Sequence, residues 1–403
     1  MDKNIQLRLL FMGLGTPEVT FLNRLIEGLA RQGVHVTICG PNRKMVDGFP
    51  AEKADWLLAP SWHGSDLIRV WQILQMLIRG IPGTRCKWFG KLFRSRKTLS
   101  GRLAAFHRYL PFLRGDWDVI YFPWNSTAVD YIDLFDLGIP VVISCRGSQI
   151  NIRPFSKGQE SYVNLLKQSL GKAAAVHCVS EDILSNAVGL GLDPEKAVVI
   201  HPAVDPQSFL PCFDNSQNDP IKLITTGSLV WNKGYEYLLM SVRLLNERGM
   251  NAELHIIGEG AERSRVLFTA QDLDIASQVV LHGKLSPAEV IQQLQQSDIF
   301  VLSSLSEGIS NAVLEAMSCG LPVVTTDCGG MREAVQNGVE GFVVPVREPE
   351  AMADALQKLV LDSALRKRMG GAGRKRVLAE FNSQMQIEAF VKLFESVRVN
   401  EAN

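Results

Sequence analysis

The chain has 403 residues, a length that suggests two or three domains. Hydrophobic residues make up 46% and charged residues 21%, close to the globular average, which excludes disordered, collagen-like and disulfide-scaffold proteins. Lys+Arg and Asp+Glu both total 42, so the net charge gives no argument for a nucleic-acid partner, and we predict none.

The first apolar run is interrupted by Arg8 and is followed by no small-residue cleavage pattern, so we expect a buried strand rather than a signal peptide. No run of about 18 uncharged apolar residues occurs in the sequence, and we therefore expect no membrane-spanning helix. The seven cysteines are odd in number and lack CxxC spacing, which favours buried thiols in a reducing compartment. These features together predict a cytoplasmic protein.

Short apolar runs alternate with amphipathic stretches of helical length along the chain. Because these runs are continuously apolar, they are typical of strands covered on both faces of a parallel sheet. Alternation of such strands with helices predicts an α/β fold. The predicted strands are Leu7–Met12, Val34–Cys39, Val119–Phe122, Val141–Ser144, Ala175–Val179, Val198–Ile200, Lys222–Thr226, Glu253–Ile257, Val279–His282, Ile299–Ser303, Val323–Thr325 and Phe342–Val344.

Two predicted strands end in a Gly-x-Gly turn that precedes a helix. The turns are Gly13-Leu14-Gly15 and Gly258-Glu259-Gly260, and each lacks the third glycine of a dinucleotide fingerprint, where Glu18 and Arg263 stand. A tight strand-to-helix turn explains either one alone. Two such turns in one chain predict two similar Rossmann-like halves.

The segment between the halves and the last helix complete the predicted organisation. His201–Pro220 contains four prolines and little apolar periodicity, which is typical of a linker. Phe381–Val397 carries apolar residues at helical spacing, so one face of this predicted helix must pack against another part of the protein.

Residues 79–114 are strongly basic. They include ten Lys or Arg, six aromatic residues and no Asp or Glu. One interpretation is a solvated basic helix face. The other is contact with an anionic membrane surface or a phosphate-bearing acceptor, which would place the protein at the inner face of the membrane. RNA is less favoured, because no nucleic-acid motif accompanies the segment.

The segment after the predicted strand Ile299–Ser303 is rich in small and polar residues. Ser310 or Asn311 is a candidate N-cap for the helix Ala312–Ser318. Gly308 permits close approach of a ligand to the backbone, and the free amides of the helix provide an anion site. The segment reads Ser304-Leu305-Ser306-Glu307-Gly308-Ile309-Ser310-Asn311.

Two acids flank the start of that helix. Glu307 precedes it and Glu315 lies about 6 Å along its axis, so both carboxylates can face one cleft. A carboxylate can accept hydrogen bonds from paired sugar or ribose hydroxyls. The alternative is a capping acid together with a solvated helix glutamate.

Two further glycine-bearing junctions follow strands in the second half. The loop Gly227–Gly234 contains Lys233, whose ammonium group is suited to bind phosphate, although the spacing is not that of a P-loop. Asp327–Glu333 contains Gly329 and Gly330 before a helix. Three such junctions at strand carboxyl ends predict a ligand crevice.

These motifs resemble the retaining glycosyltransferase family 4 (glycosyl transferases group 1). The resemblance lies in the Gly-x5-Lys-Gly loop, Ser-Glu-Gly-x-x-Asn with Glu-x7-Glu, and Gly-Gly-x-x-Glu, and it is strongest over residues 221–345. It extends more weakly to Pro17–Ile38 and His201–Asp205. The combination is specific to the family and its fold, and not to a substrate.

The resemblance implies a GT-B fold, in which two Rossmann-like domains face each other across a cleft. Residues 1–203 with 380–403 would form the N-terminal, acceptor-binding domain, to which the terminal helix returns. Residues 204–379 would form the C-terminal domain that binds a nucleotide sugar. The resemblance further implies a nucleotide-diphosphate sugar as substrate, with no cofactor and no bound metal.

The resemblance also assigns residue roles. Lys233 would hold the diphosphate, Glu315 the ribose hydroxyls, and Glu307 the donor sugar. Gly258 and the 282–285 turn would lie near the base, and Gly13–Gly15 would approach the diphosphate from the first domain. The predicted donor-binding residues are Gly13, Gly15, Gly227, Ser228, Lys233, Gly258, His282, Lys284, Leu285, Glu307, Gly308, Ile309, Ser310, Asn311 and Glu315, and the predicted catalytic residues are Lys233, Glu307 and Arg146.

Two positions depart from the family pattern. Ser228 stands where the family commonly has Arg, and Cys145–Ser148 occupies a region where it often has His. We hypothesise that Arg146 supplies, from the first domain, part of the positive charge missing at Ser228. The alternative is that Arg146 is a structural salt-bridge partner.

The predicted activity is transfer of a hexose, with retention, from a UDP- or GDP-sugar to a hydroxyl of a glycan or lipid-linked acceptor (EC 2.4 type). Cell-surface polysaccharide or glycolipid synthesis is the expected setting. A sugar phosphorylase or synthase and a non-catalytic sugar-nucleotide-binding or scaffold protein remain as alternatives. A nicotinamide dehydrogenase is disfavoured, because the full GxGxxG and its downstream acid are missing.

Overall fold

The computed structural model describes residues 6–13, 20–40, 55–58, 83–96, 98–113, 115–211 and 219–398. Gly15, part of the basic segment and residues 212–218 of the predicted linker lie outside these ranges. The described strands are β1 Arg8–Met12, β2 His35–Gly40, β3 Asp55–Leu58, β4 Val119–Phe122, β5 Val141–Cys145, β6 Ala175–Cys178, β7 Ala197–Val199, β8 Ile221–Thr226, β9 Ala252–Ile257, β10 Val279–Gly283, β11 Ile299–Leu302, β12 Val323–Thr326 and β13 Gly341–Val344.

Helices lie between most of these strands in the described chain. They are α1 Thr20–Arg31, α2 Gly83–Ser95, α3 Leu99–Tyr109, α4 Asn125–Asp130, α5 Ser148–Asn151, α6 Glu160–Lys172, α7 Glu181–Gly189, α8 Tyr235–Glu247, α9 Arg263–Asp272, α10 Pro287–Gln295, α11 Asn311–Ser318, α12 Met331–Ala334, α13 Pro349–Leu361, α14 Ser363–Glu380 and α15 Ser383–Val397.

The strands form two separate parallel sheets. The first has seven strands in the order β3-β2-β1-β4-β5-β6-β7, and the second has six in the order β10-β9-β8-β11-β12-β13. In the first sheet Leu9 pairs with Val36 on one side and with Val119 on the other. The predicted α/β architecture with two Rossmann-like halves is confirmed.

Both faces of each sheet are covered, as the continuous apolar runs predict. In β1, Leu10 and Met12 pack into one apolar cluster, whereas Leu9 and Phe11 pack into another on the opposite face. Successive residues of a strand point to opposite faces, so a strand between two helical layers needs apolar residues at every position. This requirement explains why the runs do not alternate.

The terminal helix α15 returns to the first domain, as predicted. Phe390 and Phe394 pack their rings against Tyr121 of β4, with ring centroids 5.7 and 5.2 Å away. The Tyr121 hydroxyl lies 2.6 Å from Ser144 Oγ, which in turn lies 2.6 Å from His177 Nδ1. Burial lowers the pKa of His177 to about 3, so this imidazole is neutral at pH 7.

The chain crosses between the sheets at two points that lie side by side. The Val204 amide donates to the Phe381 carbonyl at 3.0 Å, and the Ser383 amide donates to the Val204 carbonyl at 2.9 Å. Arg374 of α14 donates to the Phe209 carbonyl at 2.9 Å, which ties the segment after the first crossing to the second domain. The exact domain boundaries, 203/204 and 379/380, stay predictions.

The described part of the basic segment contains buried aromatic residues and exposed basic ones. Tyr109 and Phe112 are buried in the first-domain core, and Trp88 packs against it. Lys87, Lys91 and Arg94 of α2 are exposed. These aromatic residues therefore stabilise the fold, and the surface of this part of α2 is basic.

No helix in the described residues is long and apolar enough to cross a membrane.

Adjacent glycines in α14 allow a matched test of the packing. A Cβ added at Gly370 would lie 1.9 Å from the Gly320 carbonyl oxygen, whereas one added at the exposed Gly371 would meet nothing within 4 Å. We expect Gly370→Ala to lower the free energy of unfolding by about 1–3 kcal/mol through overpacking. Gly371→Ala should raise it by up to about 1 kcal/mol, since glycine disfavours helices. Equal denaturation midpoints for the two variants would contradict this packing.

Candidate active site

Two loops at the carboxyl end of the second sheet are bonded to each other. The loop after β8 closes at Gly234, which adopts the left-handed conformation with φ of 61°. The Leu305 amide, after β11, donates to the Asn232 carbonyl at 2.7 Å, and Ser303 Oγ donates to the Lys233 carbonyl at 2.8 Å. These bonds bring the predicted lysine loop and the predicted Glu307 turn together.

Lys233 and Glu307 form an ion pair where the loops meet. Lys233 Nζ donates to Glu307 Oε1, and Ser304 Oγ donates to the same oxygen at 2.9 Å. The Lys233 and Glu307 side chains are only 19% and 16% exposed. An ammonium group has three donors, so Lys233 can bind Glu307 and still donate to a phosphate oxygen.

Gly227, at the beginning of the lysine loop, lies close to the Lys233 side chain. A Cβ added at Gly227 would lie 3.6 Å from Lys233 Cε, and the Tyr235 hydroxyl donates to the Gly227 carbonyl at 3.3 Å. Ser228 is exposed. The loop backbone therefore lies directly against the cation that is predicted to hold the diphosphate.

The Gly-x-Gly turn after β9 packs against this loop. A Cβ at Gly258 would lie 1.8 Å from the Gly227 carbonyl oxygen, and one at Gly260 would lie 2.3 Å from that of Leu229. Close backbone packing within the second domain thus requires glycine at both positions.

Helix α11 begins beside Glu307. Ser310 is the N-cap residue but its side chain caps no amide, and the Asn311 Oδ1 atom is buried without a hydrogen-bond partner among the described residues. Gly308, Ile309 and Ser310 are buried. Of the two candidate N-caps, Ser310 is the one that occupies the position.

Glu315 of α11 is paired with the first domain. Arg24 Nη2 of α1 lies 3.5 Å from Glu315 Oε1. Burial raises the pKa of the Glu315 carboxyl, and Arg24 opposes this shift. A carboxylate that is buried and only partly compensated is ready to accept hydrogen bonds from a ligand.

This shift predicts a pH-dependent stability. Because the folded protein holds the Glu315 proton above the ordinary pKa of 4.5, stability should fall as pH rises from 4.5 through the raised value. Glu315→Gln replaces this carboxyl group with an amide that does not titrate. The stability of the variant relative to the native chain should therefore increase with pH over that window. Thermal unfolding of both proteins between pH 4 and 8 measures the difference, and parallel curves would contradict the raised pKa.

Comparison with known proteins identifies both halves of the chain. Residues 19–208 match the model of Glycosyltransferase Family 4, and residues 213–376 match that of Glycosyl transferases group 1. The chain belongs to the family 4 and group 1 glycosyltransferases. The predicted family is confirmed.

Two of the curated relatives of this chain are named as glycosyltransferases of bacterial polysaccharide biosynthesis. The amylovoran biosynthesis glycosyltransferase AmsK of Erwinia amylovora is 28% identical over 52% of this chain and 53% of its own. The capsular polysaccharide biosynthesis glycosyltransferase CapM of Staphylococcus aureus is 31% identical over 44% of this chain and 47% of its own. The chain thus spans about half the length of the curated relatives it matches.

Solved structures share the fold over nearly the whole chain. The sucrose-phosphate synthase of Thermosynechococcus elongatus has a TM-score of 0.77 at 19% identity, covering 97% of this chain and 99% of its own. HepE of Anabaena, in complex with UDP and glucose, has a TM-score of 0.73 at 16% identity, covering 97% and 100%. The predicted GT-B fold is confirmed.

Residues 282–285 span the end of β10 and the turn after it. His282 lies at an irregularity in the β9–β10 pairing, and its Nε2 is 2.9 Å from His255 Nδ1. Burial and His255 lower the pKa of His282. Lys284 is exposed and Leu285 packs against the core. Their predicted contact with the base stays a prediction.

Two predicted residues of the first domain lie near its strand ends. Gly13 has a φ of 92° and faces Thr127, whose Cγ2 would lie 2.9 Å from an added Cβ. The Arg146 guanidinium lies over the ring of Phe21 at 4.7 Å, and its Nε donates to the Pro123 carbonyl at 3.2 Å. Arg146 forms no ion pair with a described carboxylate. The hypothesis that Arg146 compensates for Ser228 stays a prediction.

Glycines also bring the two domains into contact. A Cβ at Gly308 would lie 2.7 Å from Val179 Cγ2 and 3.7 Å from the Gly147 amide nitrogen. One at Gly330 would lie 2.5 Å from Ser180 Cβ. The absence of a side chain at Gly308 and Gly330 therefore lets the loops of the second sheet touch the first domain.

Sequence reasoning missed three residues at this interface: Arg24, Asn151 and Glu333. Arg24 pairs with Glu315, and Asn151 Nδ2 donates to the Glu307 carbonyl at 3.3 Å. Glu333 binds the start of α7. Glu333 was visible as the last residue of the Gly-Gly-x-x-Glu motif, whereas no sequence signal marks the other two.

Within the described residues, no group of three His, Cys, Asp or Glu side chains is arranged to hold a metal ion. Metal independence stays a prediction, as does the absence of a cofactor.

Proposed function

We propose that this protein transfers a hexose, with retention of configuration, from a UDP- or GDP-sugar to a hydroxyl of a glycan or lipid-linked acceptor. The observation that carries this proposal is the half-buried Lys233–Glu307 pair at the junction of two glycine-bearing loops. Family membership and the bacterial polysaccharide enzymes among the relatives support it. The UDP and glucose bound to HepE support the donor class.

The chemistry rests on positioning and charge stabilisation. As the sugar–phosphate bond breaks, negative charge develops on the leaving diphosphate, which can accept the proton of the attacking hydroxyl. Lys233 and the free amides at the start of α11 would stabilise this charge in a site with little water. Glu307 would orient both Lys233 and the donor sugar, and Glu315 would accept the ribose hydroxyls. We propose that no metal or cofactor takes part.

A screen of nucleotide sugars tests the donor class. A ligand that binds only the folded form raises the melting temperature by mass action. UDP- or GDP-hexoses should therefore stabilise the chain, whereas inorganic phosphate and NAD should not. Slow hydrolysis of the same donor without acceptor would then demonstrate catalysis. Stabilisation without turnover would favour the non-catalytic alternative, and phosphate-dependent release of sugar would favour a phosphorylase.

We also propose that the exposed basic side of α2 holds the protein at the inner, anionic face of the cytoplasmic membrane, close to a lipid-linked acceptor. Lys87, Lys91 and Arg94 are spaced at helical intervals and are all exposed. Each basic residue near an anionic surface contributes about 1 kcal/mol. Replacing all three by Glu should therefore abolish cosedimentation with phosphatidylglycerol vesicles.

The control changes three exposed basic residues of the second domain, namely Arg263, Arg347 and Lys375, to Glu. This control has the same net charge as the α2 variant, so it should keep vesicle binding if the location of the charges matters. Equal loss in both variants, or binding of the native chain to neutral phosphatidylcholine vesicles, would contradict a specific basic surface.

A further inference from the structure

A second set of contacts joins the two domains beside the Lys233–Glu307 pair. Glu333 of α12 directs its carboxylate at the start of α7 in the first domain. The Glu181 amide donates to Oε2 at 3.0 Å and the Asp182 amide to Oε1 at 3.3 Å. His201 Nε2 also lies 3.0 Å from Oε2. A carboxylate from one domain thus binds helix amides of the other, which have no partner within their own helix.

The same helix orients a contact to Glu307. Asn186 Nδ2 of α7 donates to Asn151 Oδ1 and to Asp182 Oδ2, each at 3.2 Å. Because Asn151 Oδ1 accepts the hydrogen bond from Asn186, the Asn151 side chain directs its NH2 group at the second domain. There it donates to the Glu307 carbonyl at 3.3 Å.

Within the second domain, the segment before Glu333 is packed on the Glu307 turn. The Gly330 amide donates to the Gly308 carbonyl at 2.7 Å. A Cβ at Gly329 would lie 2.0 Å from the Glu307 carbonyl oxygen, so the two backbones are in direct contact. The segment that carries Glu333 is therefore in direct contact with the backbone of Glu307 and Gly308.

We propose that Glu333 and Asn151 are positioning residues, which hold the Glu307–Gly308 turn in its reactive geometry while the two domains are closed. The inference rests on the proposed function, because Glu307 is a predicted catalytic residue. The bonds of Glu333 to the first domain and the bond from Asn151 to the Glu307 carbonyl cross the interface, so they form on closure and break when the cleft opens to exchange substrates. Closure thereby completes the site around Lys233 and Glu307.

For this contact, the negative charge of Glu333 matters less than the position of its side-chain oxygen atoms, which accept the hydrogen bonds. Glu181 and Asp182 are acids at the same helix start, and burial together with Glu333 raises the pKa of Asp182. Repulsion among these three acids offsets part of the attraction to the helix amides and His201. A glutamine should therefore preserve part of the contact, because its oxygen still accepts one amide hydrogen bond.

The experiment compares Glu333→Ala, Glu333→Gln and Asn151→Ala with the native chain in donor hydrolysis and in small-angle X-ray scattering. We expect the two alanine variants to lower kcat about tenfold or more while the donor KM changes much less, because closure is lost and donor contacts remain. The kcat of Glu333→Gln should lie between those of Glu333→Ala and the native chain. In the double alanine variant, kcat should fall by a smaller factor than the product of the two single-variant factors, since both residues act through one interface.

Scattering distinguishes failure of the inference from failure of the proposed function. The alanine variants should show a larger radius of gyration than the native chain, whether or not any donor turns over. Glu348→Gln, an exposed glutamate whose side chain caps no amide, is the matched control and should match the native chain in both measurements. Native-like scattering and kcat in Glu333→Ala and Asn151→Ala would overturn the inference.

Discussion

Replacing Lys233 by alanine should lower turnover about a hundredfold, the loss typical of removing one donor to a developing negative charge. Lys233 is the cation paired with Glu307, and the loop backbone at Gly227 lies against its side chain. Its removal leaves the diphosphate without that charge and leaves the Glu307 carboxylate without its ammonium partner. Steady-state hydrolysis and transfer rates measure the effect, with the donor KM determined separately.

Lys233→Arg and Lys233→Met separate charge from packing. Arginine keeps the positive charge but carries it on a planar group, so it should recover part of the rate. Methionine keeps the length of the chain and should be as slow as alanine. If the alanine variant turns over at near-native rate while its melting temperature is unchanged, Lys233 does not stabilise the leaving group.

The strands were predictable because the fold imposes a simple requirement on them. A strand between two helical layers needs apolar residues on both faces, and each predicted run coincides with a described strand to within about two residues. The strand β3 was not predicted. It reads Asp55-Trp56-Leu57-Leu58, contains no β-branched residue and lies at the edge of its sheet, where a run of apolar residues is less strictly required.

The site was predictable where its residues follow one another in sequence. The Lys233 loop and the Glu307 turn each end a strand, and glycine marks both. Their direct ion pair was not predicted, because the two residues are 74 positions apart. Contacts between domains carry still less sequence signal: Asn151 and Glu307 are 156 positions apart, and neither residue type indicates its partner.

Gly308 shows how one residue can have two explanations. The sequence predicted close approach of a ligand, and the structure shows close approach of the first domain, because a Cβ there would lie 2.7 Å from Val179 Cγ2. The two are compatible, since a cleft that closes on its substrate must bring both surfaces together at the same turn. The domain contact is the one that a substitution can test directly.

Gly308→Val should therefore prevent full closure and lower turnover about a hundredfold, the effect expected when catalytic groups are held about 1 Å out of place. Gly308 has no left-handed φ, so backbone strain does not account for the expected loss. Donor affinity, measured by calorimetry, should change far less than kcat, because the predicted donor contacts lie mainly in the second domain.

A compensating change provides the decisive control. Val179→Ala removes the methyl groups that the new side chain would strike, so combining it with Gly308→Val should restore part of the lost rate. If the combined variant is as slow as Gly308→Val alone and donor affinity has fallen in parallel, then Gly308 acts through the ligand and not through contact between the domains.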